Sequence, residues 1–317
     1  MKIVVLDGYT LNPGDLSWDA LKAIGDCEIY DRTPASLTVE RIGDAEIVLT
    51  NKVVIDDAVL KACPAMKYVG VLATGYNVID LEATRKAGVV VTNIPAYSTD
   101  SVAQMVFAHL LNIVNQVQFH SEAVHGGEWV NSADFSFFRT PLFELSGKTL
   151  GIIGFGKIGQ KVAEIGHAFG MKILFQNRSI LKDISEDFKQ CELDELLKES
   201  DVVSLNCPLT EANYEFIGQE KLALMKKGAV LINTGRGPLI NEQDLADALN
   251  EGHLAAAGLD VLSDEPPAAD HPLLTAQNCY LTPHIAWATI EARQRLMDIA
   301  VNNLQAFLNR ESLNVIN

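Results

Sequence analysis

The stretch from Thr149 to Gly159, TLGIIGFGKIG, constrains the fold more than any other part of this chain. Leu150 to Ile153 is an apolar run that reads as a buried strand, and Gly154-Phe155-Gly156-Lys157-Ile158-Gly159 follows at once. A helical pattern comes next, with Ile158, Val162, Ile165 and Phe169 on one face. Gly170 can close that helix in a left-handed cap, and Lys172 to Phe175 supplies another strand. Glycines at this spacing occur in many turns, but here they sit inside a complete strand–turn–helix–strand unit. Gly154 allows the tight turn, Gly156 lets a pyrophosphate approach the backbone, and Gly159 lets helix and strand pack closely. The helix N-terminus adds N–H groups and partial positive charge for a diphosphate. The unit therefore reads as a dinucleotide site, against the plainer reading of a structural turn.

The rest of the chain is consistent with that core. At 317 residues it is long enough for two domains. Its 48% hydrophobic and 21% charged content is ordinary globular composition. The net charge of −16 opposes nucleic-acid phosphates and anionic membranes, so neither is expected as a partner. It also means that an anionic substrate needs local cations. The five cysteines (Cys27, Cys63, Cys191, Cys207 and Cys279) are odd in number and never form CxxC, which favours a reducing cytoplasm and argues against zinc or any other metal site. Met1-Lys2-Ile3-Val4-Val5 reads as a first strand and not as a signal peptide, and no apolar run approaches a membrane span.

Strand and helix signals alternate along the chain. Strands are expected at Ile3–Leu6, Glu28–Tyr30, Ile47–Thr50, Tyr68–Leu72 and Val89–Thr92, a first α/β domain with no GxGxxG of its own. Ser98-Thr99-Asp100 can cap a helix with the stripe Val102, Met105/Val106, His109/Leu110, Ile113 and Val117, long enough to bridge two domains. Between His125 and Glu144, Trp129, Phe135, Phe137, Phe138 and Phe143 follow no periodic pattern. This is either a loop packed on its own domain or a subunit-contact arm, since clustered aromatics favour interfaces. Further strands are expected near Val202–Asn206, Ala229–Asn233, Ala257–Val261 and Tyr280–Thr282, a second doubly wound sheet. The chain ends in a helix, Ala288 to Leu308, with Met297, Val301, Leu304 and Leu308 on one face.

Ligands in open α/β sheets bind beyond the C-terminal strand ends. Three polar residues of the second sheet fall there: Arg236 in Thr234-Gly235-Arg236-Gly237-Pro238, Glu265 in Ser263-Asp264-Glu265-Pro266, and His284 after Tyr280-Leu281-Thr282-Pro283. Singly, each has a plain reading: a surface cation, a solvated loop acid, a satisfied core histidine. Together they suit reduction of a 2-oxoacid. An arginine fork clamps a carboxylate bidentately. A histidine supplies the proton for the new hydroxyl, and a carboxylate on its second nitrogen orients the ring and favours its acid form. The hydride comes from a nicotinamide.

Gly154-Phe155-Gly156-Lys157-Ile158-Gly159, Asn233-Thr234-Gly235-Arg236-Gly237, Gly258-Leu259-Asp260-Val261 with Glu265-Pro266, and Thr282-Pro283-His284 resemble, in order along the chain, the D-isomer-specific 2-hydroxyacid dehydrogenase family. The resemblance implies two doubly wound parallel-sheet domains: a Rossmann dinucleotide-binding domain over 100–285 and a discontinuous flavodoxin-like substrate domain over 1–99 and 286–317. It implies that Arg236 binds substrate, Glu265 supports the histidine, His284 is the acid/base, and Asp260 contacts the nicotinamide carboxamide. Cys207-Pro208 and Thr234-Gly235 join the glycine motif as cofactor residues. Ala73-Thr74-Gly75 looks like the family's substrate loop, and the active site would lie in a cleft that closes between domains. A homodimer is implied too.

Within the family, Thr50-Asn51-Lys52, Ala73-Thr74-Gly75-Tyr76-Asn77 and Pro283-His284-Ile285-Ala286-Trp287 are most similar to glycerate dehydrogenases, also called hydroxypyruvate reductases. Lys52 and Trp287 then shape the pocket for a small hydroxylated acid; otherwise they are a surface lysine and a packing tryptophan. Glyoxylate and D-lactate remain alternatives, and 3-phosphoglycerate is less favoured because no added domain follows Asn317. The acid expected about 20 residues beyond the glycines, to hold the adenosine ribose, is absent. Asn177-Arg178-Ser179 stands there instead: Asn177 does not repel a 2′-phosphate, and Arg178 and Ser179 can bind one. Residue chemistry leans slightly to NADP and the resemblance to NAD. A non-enzymatic reading, a dinucleotide-regulated binding module like the corepressors that share this fold, is the alternative of a different class.

Overall fold

Short apolar runs flanked by turn residues become the strands of two parallel sheets. The first sheet holds β1 (Lys2–Val5), β2 (Asp26–Ile29), β3 (Ile47–Thr50), β4 (Tyr68–Val71) and β5 (Val90–Thr92), in the order β2-β1-β3-β4-β5. The second holds β6 (Thr149–Ile153), β7 (Lys172–Gln176), β8 (Phe188–Gln190), β9 (Val202–Leu205), β10 (Val230–Asn233), β11 (Ala256–Leu259) and β12 (Cys279–Leu281), in the order β12-β11-β10-β9-β6-β7-β8. The computed structural model describes all 317 residues, and they divide into two units: Met1–Ser98 with Ala288–Asn317, and Thr99–Trp287.

The smaller unit has the order of a flavodoxin-like sheet. Its inner strands β3 and β4 are buried at every position, as strands covered on both faces must be. Val4, Leu6, Val48, Val69, Val71 and Val91 lie in one cluster with the helices on that face. Each such side chain contributes about 1.5–3 kcal/mol when fully buried. The final helix, Ile290–Leu308, starts two residues later than its pattern, behind Thr289, whose side chain accepts from Ala292 N. Its buried face also differs from the apolar stripe: Leu308 is 42% exposed, whereas Arg293 is buried. The reason is a partner, since the Arg293 guanidinium forks onto both Asp15 oxygens at 2.7 and 2.5 Å and donates to Leu11 O.

The larger unit has the Rossmann order, with its switch point between β6 and β9. One helical layer is built on the Thr99–Asn115 and Lys157–Ala168 helices, whose Val106, Phe107, Leu110, Val162 and Ala163 pack with Leu150, Ile152 and Ile173. The opposite face carries Leu196, Leu222, Leu245 and Leu249 against Val203, Leu231 and Leu259. Two local expectations are corrected here. The first long helix stops at Asn115, because Gln116 turns left-handed (φ 46°), so Val117 opens a separate helix, Val117–His125, and is 69% exposed. Strand β8 carried no signal because it is a three-residue edge strand with no buried position, Phe188 and Gln190 half-buried and Lys189 exposed. No helix is long and apolar enough to cross a membrane.

Candidate active site

The glycine motif occupies the switch point of the larger unit. Gly154 is left-handed (φ +92°), and a Cβ there would lie 2.5 Å from Cys207 N and 2.7 Å from Asn206 C. The turn after β6 therefore packs against the turn after β9, and only glycine fits. A Cβ on Gly159 would lie 2.2 Å from Gly154 O, whereas one on Gly156 would meet nothing within 4 Å. The backbone is thus tight where helix meets strand and open where a pyrophosphate would approach. Gly156 is the N-cap of the Lys157–Ala168 helix, and no side chain caps that end. Two side chains of the motif face inward: Phe155 is 2% exposed and stacks on Phe175 at 3.8 Å, and Ile158 packs on the core. At these two positions only the backbone is available to a ligand, and Lys157 is exposed.

Beyond β7, Asn177 turns its amide into its own loop, donating to Ser179 O and Oγ at 3.2 Å each. Gln190 on β8, which the sequence did not single out, pins this loop by donating to Ser179 O at 3.0 Å and accepting from Leu181 N. Arg178 is exposed and close enough to act electrostatically on Cys207. Burial raises the Cys207 thiol above its ordinary pKa, and Arg178 opposes that only in part. Pro208 beside it is exposed. Two buried oxygens at the strand ends, Asn206 Oδ1 and Thr234 Oγ1, have no hydrogen-bond partner in the protein. Buried polar atoms left unpaired cost free energy unless a ligand or water satisfies them. An open glycine cradle, an uncapped helix end and two orphaned oxygens around one switch point fit a dinucleotide.

The three catalytic candidates follow adjacent strands. β10, β11 and β12 are neighbours, with Asn233 opposite Leu259 and Leu259 opposite Leu281. Arg236 follows β10 in a turn fixed by Asn233, whose side chain donates to Arg236 O at 2.8 Å and accepts from Gly235 N at 3.0 Å. The exposed guanidinium donates to Gly235 O at 2.8 Å. Glu265 follows β11: its Oε1 accepts from Leu262 N at 3.2 Å and its Oε2 meets His284 Nδ1 at 2.6 Å. Both side chains are about a third exposed (31% for His284, 37% for Glu265). With Nδ1 committed to Glu265, Nε2 is the nitrogen left to carry a proton outward. A half-open imidazole backed by a carboxylate can donate or accept a proton at that atom.

His284 is held in an uncommon conformation. Its φ is +54°, and its N–H is shared between Asp260 O at 2.8 Å and Thr282 O at 2.9 Å. The Asp260 carboxylate, 1% exposed, completes the turn: Oδ1 accepts from Thr282 Oγ1 at 2.6 Å and from Ile285 N at 2.9 Å, and Oδ2 accepts from Ala286 N at 2.8 Å. The resemblance points Asp260 at the cofactor; in the structure its oxygens are engaged in holding the turn of His284. His109, which sequence reading placed only in a helix stripe, lies 3.0 Å from Thr282 Oγ1 through its Nε2. Since Thr282 donates to Asp260, His109 is the donor to Thr282. Trp287, the last residue of this unit, is half-buried.

The remaining substrate candidates belong to the smaller unit. Asp7, at the end of β1, accepts from Asn51 N at 2.8 Å and Lys52 N at 2.6 Å, so the Lys52 backbone is anchored while its side chain is exposed. Ala73-Thr74-Gly75 follows the neighbouring strand β4. Ala73 O accepts from Ile94 N at 3.0 Å, Thr74 Oγ1 donates to Ile94 O at 2.7 Å, and Asn93 donates to Thr74 O at 2.8 Å. The Ala73 and Thr74 carbonyls and the Thr74 hydroxyl are thereby used, while exposed Thr74 and half-buried Gly75 keep backbone N–H groups as donors.

Comparison with known proteins places this geometry. The D-isomer specific 2-hydroxyacid dehydrogenase NAD binding domain matches residues 107–286. The hydroxypyruvate reductase of Blautia hydrogenotrophica is 52% identical over 100% of both chains. The glycerate dehydrogenase of Methylorubrum extorquens is 37% identical over 90% of this chain and 89% of its own. An acyclic imino acid reductase solved in complex with NADPH and D-arginine is similar over 100% of both chains, with a TM-score of 0.86 and 32% identity.

Proposed function

Because the chain belongs to the D-isomer specific 2-hydroxyacid dehydrogenase family, we propose that it interconverts hydroxypyruvate and D-glycerate, with glyoxylate and glycolate as the second substrate pair. That it is an NAD(P)-dependent oxidoreductase of 2-oxo and 2-hydroxy acids follows from the family. The observation that carries the mechanism is the 2.6 Å pair of His284 Nδ1 and Glu265 Oε2, one strand away from Arg236.

When bound, the nicotinamide supplies a hydride to the substrate's C2. Arg236 holds the carboxylate and the carbonyl oxygen with the N–H groups not given to Gly235 O. His284 gives the proton on Nε2 to that oxygen in reduction and takes it back in oxidation. Glu265, bonded to Nδ1, keeps the ring in register while the hydride moves. In the smaller unit, Ala73, Thr74 and Gly75 offer backbone donors to the carboxylate, and Lys52 recognises the hydroxyl of the third carbon. In the larger unit, Trp287 limits the size of the substrate. Gly154–Gly159, Cys207-Pro208 and Thr234-Gly235 line the dinucleotide. At its adenosine end we favour NADP, because no carboxylate repels a 2′-phosphate and Arg178 is exposed beside Asn177 and Ser179. The five cysteines are free thiols, in keeping with a reducing cytoplasm. An exposed aromatic arm in the larger unit supports a homodimer.

The test is steady-state reduction of hydroxypyruvate with NADH and NADPH in parallel, followed by glyoxylate, pyruvate and bulkier 2-oxoacids. Hydroxypyruvate is expected to give the highest kcat/KM, with NADPH favoured by about an order of magnitude. A tenfold preference for NADH would overturn the assignment of Arg178 and Ser179. A higher kcat/KM on another 2-oxoacid would overturn the substrate, and no turnover across the panel would overturn the mechanism.

A further inference from the structure

A second histidine–carboxylate pair lies behind the first. Glu242 opens the Glu242–Asn250 helix behind its N-cap, Asn241. Its Oε1 accepts from Ser263 N at 2.8 Å, and its Oε2 accepts from His271 Nε2 at 3.0 Å. His271 Nδ1 accepts in turn from Leu273 N at 3.3 Å. Only the tautomer with its proton on Nε2 makes both bonds. The two side chains are almost closed to solvent, 14% exposed for Glu242 and 10% for His271. Burying a carboxylate is costly unless its oxygens are hydrogen-bonded, and here each has a donor beside a helix N-terminus.

The segment this pair holds is the one on which the candidate site is built. Ser263 is two residues from Glu265, and Leu262 N is the donor to Glu265 Oε1. On the other side, a Cβ on Gly237 would lie 2.0 Å from Leu262 C and 2.3 Å from Ser263 N, so the turn of Arg236 presses on the same backbone. Leu262–Ser263 is thus wedged between Gly237 and Glu242. We propose that Glu242 and His271 are positioning residues for the reaction. They fix the loop that presents the Glu265 carboxylate to His284 and set its spacing from Arg236. The proposal rests on the oxidoreductase reading above.

The test compares E242L, E242Q, H271A and H271Q with the wild type, using hydroxypyruvate and the preferred reduced dinucleotide. Folding is followed by circular dichroism and dinucleotide binding by fluorescence. E242L is expected to lower kcat/KM about 10- to 100-fold, the loss that follows a misplacement of about 1 Å in a reacting constellation. Dinucleotide affinity should stay within about twofold, since none of these residues lines the glycine motif. The loss should fall more on kcat than on KM for hydroxypyruvate, because the proton donor is misplaced while the Arg236 guanidinium remains to hold the carboxylate. H271Q, which keeps an N–H donor for Glu242, should recover most of what H271A loses. A folded E242L with wild-type kcat and kcat/KM would overturn the proposal, leaving the pair a purely structural contact. Should E242L fail to fold, E242Q and the His271 variants decide: wild-type kcat and kcat/KM in all of them overturn it equally. Should the wild type turn over no 2-oxoacid, the parent reading fails instead, which separates the two failures.

Discussion

His284, the proposed acid/base, stands in a backbone conformation that a residue with a Cβ seldom adopts, and Asp260 is what holds it there. Four hydrogen bonds from residues 282–286 converge on Asp260: one to its carbonyl and three to its carboxylate. Removing the imidazole should leave that turn standing, because the backbone of residue 284 makes the bond to Asp260 O. His284→Ala is therefore expected to keep dinucleotide binding while kcat falls about 10²- to 10⁴-fold, the usual worth of a general acid. A kcat near wild type would sink the assignment. His109 carries a prediction of its own. Burial lowers its pKa below the ordinary 6.5, with Asp260 opposing more weakly. Its folded pKa lies below the unfolded one, so the unfolded chain takes up more protons as pH falls. The stability due to neutral His109 is present above about pH 6.5 and is lost on acidification towards the folded value. Thermal unfolding followed from about pH 7 to about pH 5 should show Tm falling. His109→Gln, which keeps a donor for Thr282 but cannot titrate, should flatten part of that slope.

At the scale of elements, the strand–turn–helix unit separates what the fold needs from what the ligand needs. Gly159→Ala places a Cβ 2.2 Å from Gly154 O, so backbone must shift; about 1–3 kcal/mol or more of stability should be lost in chemical denaturation. Gly156→Ala meets nothing within 4 Å and should unfold like the wild type, yet its KM for the dinucleotide should rise about tenfold or more, because the methyl fills the approach to the backbone. A stable Gly159→Ala or a Gly156→Ala of unchanged KM would break that division. This unit was also the most legible part of the sequence, together with Arg236, Glu265 and His284. The reason is common to all: each follows an apolar run too short for a helix and too continuous for an exposed strand, and the sheet rule then collects strand ends in one place. Side-chain direction was less legible. Glycine spacing reports backbone geometry, so it does not reveal that Phe155 turns into the core. Glu242 and His271 were out of reach for another reason. They stand 29 residues apart, neither at a strand end, and only the close approach of Gly237 to Leu262 makes their contact matter.

For the whole molecule, the proposed homodimer draws on the aromatic arm, for which the sequence left two readings open. Phe135 is 91% exposed, Phe138 75%, Phe143 57% and Trp129 53%, whereas Phe137 is half-buried and Arg139 ties the arm to Phe119 and Glu128 of its own unit. Beside it, Leu111, Asn112, Asn115, Val117, Gln118 and His125 line a groove of about 740 Å³. Protruding aromatics and an apolar groove on one unit are what an isologous two-fold contact requires, each copy offering both. Exposed to those fractions, four aromatics of about 150–250 Å² each offer about 400–700 Å², at least half of the roughly 800 Å² per partner of a standard interface, and the groove must supply the rest. Charge opposes association, since each copy carries −16. Screening that repulsion should therefore strengthen the dimer, the reverse of what an ion-paired interface would do. Light scattering after size exclusion should give twice the chain mass at micromolar concentration, and the dissociation constant should fall as salt is raised. Replacing both Phe135 and Phe138 with aspartate should yield a folded monomer, because a desolvated carboxylate costs several kcal/mol and the arm is not part of either sheet. A wild-type monomer, or a double variant that still dimerises, would return the arm to a plain surface loop.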